Sequence, residues 1–224
     1  MTPDPPLPRP VVLGLAVLTV VVVGALSLVL FRDDLARTGD DGDLTAASEV
    51  TRRDDFDRPD ADRLATGDLA WSDLVGRWVV QDGHAALVEA GSGAVAGLTA
   101  LDRDRADGVV SAVTRAVEPG WGLAFRVAGP DDFWAVVARE SDWAVVRVEA
   151  GTVLEAGPVV ATPPEDGLTV EVRLRATTIE VSVGGATAEP LDDDALADAG
   201  SVGFVSLSGT GIASMAWDDL QVGP

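Results

Sequence analysis

Residues 121–139 read WGLAFRVAGPDDFWAVVAR, and this stretch decides the fold class. Two apolar runs flank the tetrapeptide Gly-Pro-Asp-Asp at 129–132, whose residue types favour a tight turn. In the first run, every second residue from Trp121 to Val127 is a large apolar residue, which is the two-residue period of a β-strand. The stretch therefore predicts an antiparallel hairpin with its turn at the centre.

The same period continues on both sides of this hairpin. From residue 55 onward, short apolar or alternating segments are separated by clusters of Gly, Pro, Asp and Ser. These segments are 77–81, 84–88, 109–117, 122–127, 133–139, 143–149, 152–155, 169–175, 178–183, 201–206 and 215–222. Within residues 55–224 the only helix expected is a short one over 195–199, capped by Asp192–Asp194. The spacing predicts an all-β antiparallel sandwich or barrel, and the length of residues 55–224 suits one sandwich of about 12 to 14 strands.

Several short motifs, taken in their order along the chain, carry a resemblance to a known family. They are DDFDR at 54–58, GRWVVQDG at 76–83, GWGLAFR at 120–126, DDFW at 131–134, VGF at 202–204 and WDDLQV at 217–222. Together they resemble the concanavalin A-like lectin and glucanase jelly roll, in particular its laminin-G-like and 3-keto-disaccharide hydrolase-type domains. The resemblance implies two stacked antiparallel sheets, adjacent first and last strands, and carbohydrate as the ligand class.

Alternation along the strands assigns each large side chain to a face. It places Trp121 inside and Arg126 outside, and it places Trp143 and Arg147 together on the outside. A four-residue turn at 129–132 would pair Trp134 with Val127, which puts Trp134 inside and Phe133 outside, and a bulge would reverse this.

Jelly rolls of the resembled family bind sugars on a concave sheet face through aromatic rings and polar side chains. The outward-facing residues therefore predict a ligand-binding surface made of Arg126, Phe133, Arg139, Trp143 and Arg147. The alternative is that these residues are cross-strand Arg–Trp and Arg–Glu packing on a solvated sheet face.

The residues that would support catalysis or a cofactor are scarce. Glucanases of the resembled superfamily carry Glu-x-Asp-x-x-Glu along one strand, whereas the only Glu-x-Asp here is 140–142, with Val145 at the third position. His84 is the single histidine and there is no cysteine, so we expect no catalytic residue, no resident metal and no cofactor.

Structural calcium is the exception that the sequence leaves open. Asp57 near the first strand and Asp218 or Asp219 near the last could meet, and the acidic loop 102–108 places oxygen ligands at alternate positions. The alternative is an acidic turn whose own Arg residues neutralise the carboxylates.

The charge balance excludes one class of partner. Sixteen basic residues face 37 acidic ones, giving a net charge of −21, so the chain repels the phosphates of nucleic acids. The sequence contains no Lys, Asn, Tyr or Cys, and the excess of Ala, Gly, Val, Arg and Asp indicates a GC-rich, bacterial genome; adaptation to high salt is the alternative.

Residues 11–31 read VVLGLAVLTVVVVGALSLVLF, which is 21 residues without a charge. As a helix they span about 30 Å, the thickness of a bilayer core, and they predict an uncleaved transmembrane anchor. A cleaved signal peptide is the alternative, although its apolar region is usually about 7–15 residues. Residues 1–10 are then a short cytoplasmic head and 32–54 a flexible linker.

Arginines near both ends of the segment leave its orientation open, and the type of domain places residues 55–224 on the extracytoplasmic side of the cell membrane. The leading hypothesis is non-catalytic recognition of an envelope or external carbohydrate. The alternatives are a module that binds an envelope protein, and a glycoside-processing enzyme of the 3-keto-disaccharide hydrolase type.

Overall fold

The computed structural model describes residues 51–65, 69–207 and 216–224. These ranges contain sixteen β-strands and no α-helix. The strands are β1 Arg52–Asp54, β2 Trp71–Val75, β3 Arg77–Gln81, β4 His84–Glu89, β5 Gly97–Leu101, β6 Gly108–Ala116, β7 Trp121–Gly129, β8 Asp132–Ala138, β9 Trp143–Glu149, β10 Thr152–Val160, β11 Thr169–Arg175, β12 Thr178–Val183, β13 Ala186–Thr187, β14 Leu191–Asp192, β15 Ser201–Ser206 and β16 Ala216–Gly223.

The predicted membrane segment, residues 11–31, lies outside the described residues. Within the described ranges, no helix has the length and apolar character needed to cross a membrane.

The strands form two antiparallel sheets that make a sandwich, as predicted. The nine-stranded sheet has the order β13-β12-β11-β6-β16-β4-β3, with β1 added on β16 and β14 on β12. The seven-stranded sheet has the order β10-β9-β8-β7-β15-β5-β2. The first and last strands are neighbours, with Arg52 opposite Val222 and Asp54 opposite Leu220. Residues 52–54 thus form a strand, where the sequence pattern assigned them to the linker.

The hairpin at the centre of the sequence is β7–β8, with Gly129 opposite Asp132. The short helix expected at 195–199 is wrong. In its place two successive turns form, closed by bonds from the Ala197 amide to the Asp194 carbonyl (3.1 Å) and from the Ala199 amide to the Leu196 carbonyl (3.0 Å). Leu196 has a φ of 58°, and this left-handed conformation prevents the turns from continuing as a right-handed helix.

Five of the six tryptophans fill the core between the sheets, and the sixth, Trp71, packs at its edge. Phe204 stacks on Trp217, with ring centroids 5.3 Å apart, and on Trp71 at 5.6 Å. All six tryptophans are less than 9% exposed. Burial of large aromatic rings supplies much of the hydrophobic stabilisation of such a sandwich.

The seven-stranded sheet is also apolar on its second face, the face turned away from the other sheet. We call this its outer face. A second cluster of buried side chains lies there, separate from the core between the sheets: Val95, Leu98, Ala100, Ala124, Val127, Phe133, Ala135, Val137, Ala144, Val146, Val148 and Val205. Because strands of this sheet are apolar on both faces, alternation alone cannot tell which face is the interior.

Because both faces of this sheet are apolar, the alternation predicted some side-chain orientations correctly and others wrongly. Trp121 and Trp134 point into the core and Phe133 points to the outer face, as predicted. The register behind the prediction is wrong, since Trp134 pairs with Phe125 rather than with Val127, and the strands contain a bulge. The outward orientation of Trp143 is wrong, since its ring lies in the core and is 0% exposed. Trp143 and Arg147 do share one face, but it is the inner one.

Candidate functional site

A β-bulge determines the position of Arg126, which the alternation placed outside. The β7–β8 register shifts after Phe125, and Arg126 has a φ of 47°. Its side chain is 1% exposed, which corrects the outward prediction. The guanidinium donates to the backbone carbonyls of Asp193 (2.8 Å) and Ala176. Burial lowers the pKa of Arg126, while the carboxylate of Asp193 opposes that effect.

Arg147 lies on β9, two strands away from Arg126, and contacts the same segment at Asp193. Its guanidinium lies 5.5 Å from the centroid of Trp134 and pairs with Glu149 (3.1 Å) and Asp193 (3.4 Å). The Trp134 indole donates to the carbonyl of Ala195 (3.1 Å). Arg147 and Trp134 are cross-strand partners, so the Arg–Trp and Arg–Glu packing considered as the alternative does occur here.

The five predicted site residues therefore do not form one exposed surface. Arg126, Phe133 and Trp143 are buried, and Phe133 faces away from the other two. Arg139 lies apart at the β8–β9 turn, where Asp142 and Glu155 pair with it. The hydrogen bond from Arg139 to Asp142 raises the pKa of Arg139. Among the described residues no tryptophan or phenylalanine is exposed, so no ring is available there to stack on a sugar.

A polar groove on the outer face of the nine-stranded sheet is the better candidate. It is an open depression of about 450 Å³ between three parts of the fold: strand β1 with the loop after it, the β3–β4 hairpin tip, and strands β6 and β16. Its lining residues are Arg53, Asp55, Asp57, Asp82, Gly83, His84, Val113, Arg115, Asp218 and Asp219. We call this the β1–β16 groove.

A second bulge explains why two consecutive aspartates line this groove. In a regular strand, Asp218 and Asp219 would point to opposite faces. The β16–β6 register instead shifts after Asp218, and Asp219 has a φ of 50°. The Asp219 amide donates to the Asp218 carboxylate (2.8 Å), which fixes the kink. The bulge thus brings both carboxylates into the groove while Trp217 and Leu220 stay in the core.

Each of these carboxylates forms an ion pair with an arginine. Arg115 donates twice to Oδ2 of Asp218, from Nε at 2.9 Å and from Nη2 at 2.6 Å. Arg53 Nε donates to Oδ1 of Asp219 at 2.6 Å. Both arginines are about half exposed, with side-chain exposures of 49% and 57%, so their remaining N–H groups face the groove and the solvent.

The β3–β4 hairpin forms the opposite wall. Asp82 and Gly83 have φ values of 52° and 76°, which is the mirror-image turn expected for an Asp-Gly pair between two strands. His84, the next residue, is half-buried, and its Nδ1 has no hydrogen-bond partner among the described residues. The groove therefore offers donors and acceptors side by side.

The sequence left open a calcium site where Asp57 could meet Asp218 or Asp219, and all three line the groove. The described residues nonetheless contain no group of three or more acids or histidines placed to hold a metal ion. In the second candidate, loop 102–108, three of the acids have partners from other parts of the domain. Asp102 accepts from Ser201 (2.8 Å), Asp104 pairs with Arg52 (3.3 Å), and Asp107 accepts from the amide of Ala176 (2.8 Å).

Sequence reasoning did not select Arg53 or Arg115. Arg53 was assigned to the linker, and Arg115 falls at an alternating position that looks like any solvated strand residue. The signal that could have pointed here is the pair Asp218-Asp219 inside a strand-like segment, since two adjacent charges break the two-residue period and indicate a bulge.

The described domain has a jelly-roll sandwich fold similar to that of concanavalin A-like proteins. Solved structures of this class superimpose on it at low sequence identity. The carbohydrate-binding module CBM66 from Bacillus subtilis matches with a TM-score of 0.55 and 11% identity, over 70% of this chain and 96% of that one.

Two glucanases are similar in the same way. A lichenase, a β-1,3-1,4-glucanase from a mouse hindgut metagenome, matches with a TM-score of 0.54 and 13% identity over 78% of this chain and 99% of that one. The β-glucanase of Bacillus licheniformis matches at 0.53 and 8%, over 79% and 99%. No family model matches the sequence, and no curated protein sequence does.

Proposed function

We propose that this domain recognises carbohydrate without hydrolysing it, and that the β1–β16 groove is its binding site. The observation that carries the proposal is the pair of Asp–Arg contacts, Asp219 with Arg53 and Asp218 with Arg115, placed on adjacent residues of one strand. The similarity in fold to a carbohydrate-binding module supports the ligand class.

The chemistry of a sugar suits this arrangement. Each hydroxyl group is both a donor and an acceptor, so two neighbouring hydroxyls can donate to a carboxylate and accept from the guanidinium beside it. The groove would bind mainly by hydrogen bonding, since its lining contains no tryptophan, tyrosine or phenylalanine. Binding to one sugar unit is therefore weak, and affinity comes from repeated units or many tethered copies.

The outer face of the seven-stranded sheet is unsuited to sugar binding. Its twelve buried side chains are Val, Ala, Leu and Phe, and none of them donates or accepts a hydrogen bond. Nor do they include a carboxylate for a hydrolase of the retaining type. This supports the groove over the outer face of the seven-stranded sheet as the binding site.

The proposal also includes residues 11–31, as a membrane anchor. This anchor would hold the domain at the extracytoplasmic surface, within reach of envelope or external glycans. Residues 32–51 would act as the tether.

The test is a glycan-array screen of the full chain in mild detergent, followed by titration of the strongest hit. We expect Arg115→Gln to weaken that hit about 10-fold or more, because it removes charge-assisted hydrogen bonds worth about 1.5–3 kcal/mol. Arg139→Gln is the matched control, since it breaks an exposed ion pair far from the groove. A hit that survives Arg115→Gln and Arg53→Gln unchanged would exclude the groove as the site. A blank screen from folded protein would remove the carbohydrate proposal.

A second function is favoured by a different observation. The cluster on the outer face of the seven-stranded sheet consists of twelve apolar side chains, a composition that suits packing against another protein surface. A blank array would therefore turn attention to an envelope protein partner.

A further inference from the structure

Three arginines meet beside the end of strand β16, at a place that the β1–β16 groove does not include. Arg52 of β1 and Arg103 and Arg105 of the β5–β6 loop line an open depression of about 210 Å³, which we call the arginine depression. Its other lining residues are Asp104, Val222, Gly223 and Pro224. The depression and the groove share no lining residue, and the consecutive Arg52 and Arg53, which point to opposite sides of β1, serve one each.

The charge of this depression is opposite to that of the chain as a whole. Its lining contains three arginines and one acidic side chain, Asp104, while the full sequence has 16 basic and 37 acidic residues. The side chain of Asp104 is 98% exposed and pairs with Arg52 at 3.3 Å. An ion pair that exposed is weak, so the lining side chains keep a local excess of positive charge in a strongly acidic protein.

The other two acids of the loop have partners elsewhere in the domain. Asp102 accepts from the hydroxyl of Ser201 (2.8 Å), and the carboxylate of Asp107 accepts from the amide of Ala176 (2.8 Å). The loop backbone also packs closely on Gly200, where an added Cβ would lie 2.5 Å from a loop carbonyl. These contacts fix the backbone that presents the arginines, and preorganisation of this kind lowers the entropy cost of binding.

Backbone carbonyls position two of the three arginines. Nη1 of Arg52 donates to the carbonyl of Asp102 (2.9 Å), and Nη2 of Arg103 donates to the carbonyl of Asp107 (2.6 Å). Nη1 of Arg103 has no hydrogen-bond partner among the described residues. Burial and the neighbouring charges of Arg105 and Arg52 lower the pKa of Arg103, and the carboxylate of Asp107 opposes this effect. A carbonyl orients a guanidinium without neutralising it, so Arg103 keeps a charge that an anion can neutralise.

We infer that the arginine depression binds a single oxyanion group, a carboxylate, phosphate or sulfate, through Arg52, Arg103 and Arg105. Guanidinium N–H groups match the oxygens of these anions in geometry, and the charge-assisted hydrogen bonds that result are stronger than neutral ones. A single group is favoured over a polyanion, because the net charge of −21 repels negative charges that lie beyond the depression. The anion is a free inorganic one or the acidic group of a sugar, since both present the same chemistry.

An NMR titration of the full chain in mild detergent tests the inference, with the arginines labelled by ¹⁵N. All 16 basic residues of the chain are arginines, so the side-chain Nε–H signals sample every cationic side chain. The probes are sodium phosphate, sodium sulfate and sodium glucuronate, glucose is the neutral control, and sodium chloride keeps the ionic strength constant. Single Arg→Gln variants assign the signals of Arg52, Arg103 and Arg105.

We expect these three signals to shift saturably with the oxyanions and to stay in place with glucose. Tighter binding of glucuronate than of phosphate and sulfate would assign the site to an acidic sugar, and the opposite order would assign it to a free inorganic anion. Shifts that do not saturate, or that spread evenly over all arginine signals, would overturn the inference because they indicate screening by salt.

Two variants test the charge in opposite directions. Arg103→Gln should weaken the strongest probe about 10-fold or more, because it removes charge-assisted hydrogen bonds. Asp104→Asn should strengthen binding several-fold, because it removes the acidic side chain of the depression and keeps every arginine. The matched control is Arg173→Gln, which changes a 41% exposed arginine on the outward side of β11 that lines neither site.

An equal effect of Arg103→Gln and Arg173→Gln would contradict the inference. If Arg103→Gln misfolds, Asp104→Asn decides alone, and weaker or unchanged binding in that variant would contradict the inference.

The C-terminus needs its own control, because Pro224 lines the depression and its terminal carboxylate is itself an anion. The titration is repeated on a chain with Gly-Ser-Gly added after Pro224, and we expect binding at least as tight as in the chain that ends there. The absence of saturable shifts from both chains would overturn the inference. The carbohydrate proposal would be unaffected by that result, because it depends on the groove.

Discussion

Replacing Trp143 by alanine distinguishes the observed orientation of β9 from the one its sequence pattern favours. Trp143 is 0% exposed and lies in the core, and its indole Nε1 has no hydrogen-bond partner among the described residues. The loss is therefore one of packing alone. A buried tryptophan removes about 150–250 Å² from water, worth about 4–6 kcal/mol at ~25 cal/mol per Å² as an upper bound. Allowing for what alanine retains, we expect Trp143→Ala to destabilise the fold by about 3–5 kcal/mol.

The assay is urea unfolding followed by circular dichroism, with Trp121→Ala as the matched core variant. With an m-value of about 2 kcal/mol per molar urea, the midpoint should fall by about 1.5–2.5 M in both variants. If Trp121→Ala shows this loss while Trp143→Ala loses less than about 1 kcal/mol, Trp143 points outward and the assignment of faces in β9 is wrong. A loss that appears only with a changed m-value would indicate an altered unfolded state instead.

Three other substitutions have defined expectations under the same assay. Asp54 is 4% exposed and accepts hydrogen bonds from the Phe56 amide (3.1 Å), the Trp71 indole (2.9 Å) and the Arg58 guanidinium. Asp54→Ala should therefore lower the free energy of unfolding by about 3–5 kcal/mol. Its control, Asp62→Ala at an exposed position, should change that free energy by less than about 0.5 kcal/mol. Similar losses for the two would argue against a buried hub at Asp54. Arg126→Met removes the donor from the carbonyls of Ala176 and Asp193 and should lower the free energy of unfolding by about 2–4 kcal/mol. Its control, Arg139→Met, breaks an exposed ion pair and should cost less than about 1 kcal/mol. A tolerated Arg126→Met would mean that the bulge does not direct this side chain inward. Gly203→Ala would place a Cβ 1.9 Å from the Thr99 carbonyl on the neighbouring strand and should cost about 3 kcal/mol or more. In its control, Gly129→Ala, the added Cβ meets nothing within 4 Å, so stability should be nearly unchanged. A stable Gly203→Ala variant would contradict the β15–β5 register.

The local pattern of the sequence was sufficient for most strands and turns. The Asp82-Gly83 turn and the β7–β8 hairpin follow from residues that favour tight turns between apolar runs. The bounds of β3, β9, β11, β12 and β15 agree with the segments read from the alternation. Strand β5, GLTAL, was missed because it is short and begins with glycine, and β2, WSDLV, because polar residues interrupt it.

The orientation of side chains required information that the pattern does not contain. In β9, residues 143 and 145 on one face and 144 and 146 on the other are all apolar, so either face could have been the interior. At Arg126 a single bulged residue reversed the alternation. The groove depends on contacts far apart in sequence, such as Arg53 with Asp219, which no local period can reveal.

The pairing of β1 with β16 has a mechanical consequence. Only three residue pairs join these strands, and Arg53, one residue of β1, also forms part of the groove. If the chain is held at its N-terminal side while a ligand pulls on the groove, the load runs through β1 before it reaches the tryptophan core. Tension would peel β1 from β16 and separate Arg53 from Asp219 while both sheets stay intact. The affinity of the groove for a ligand would then fall under force before the domain unfolds.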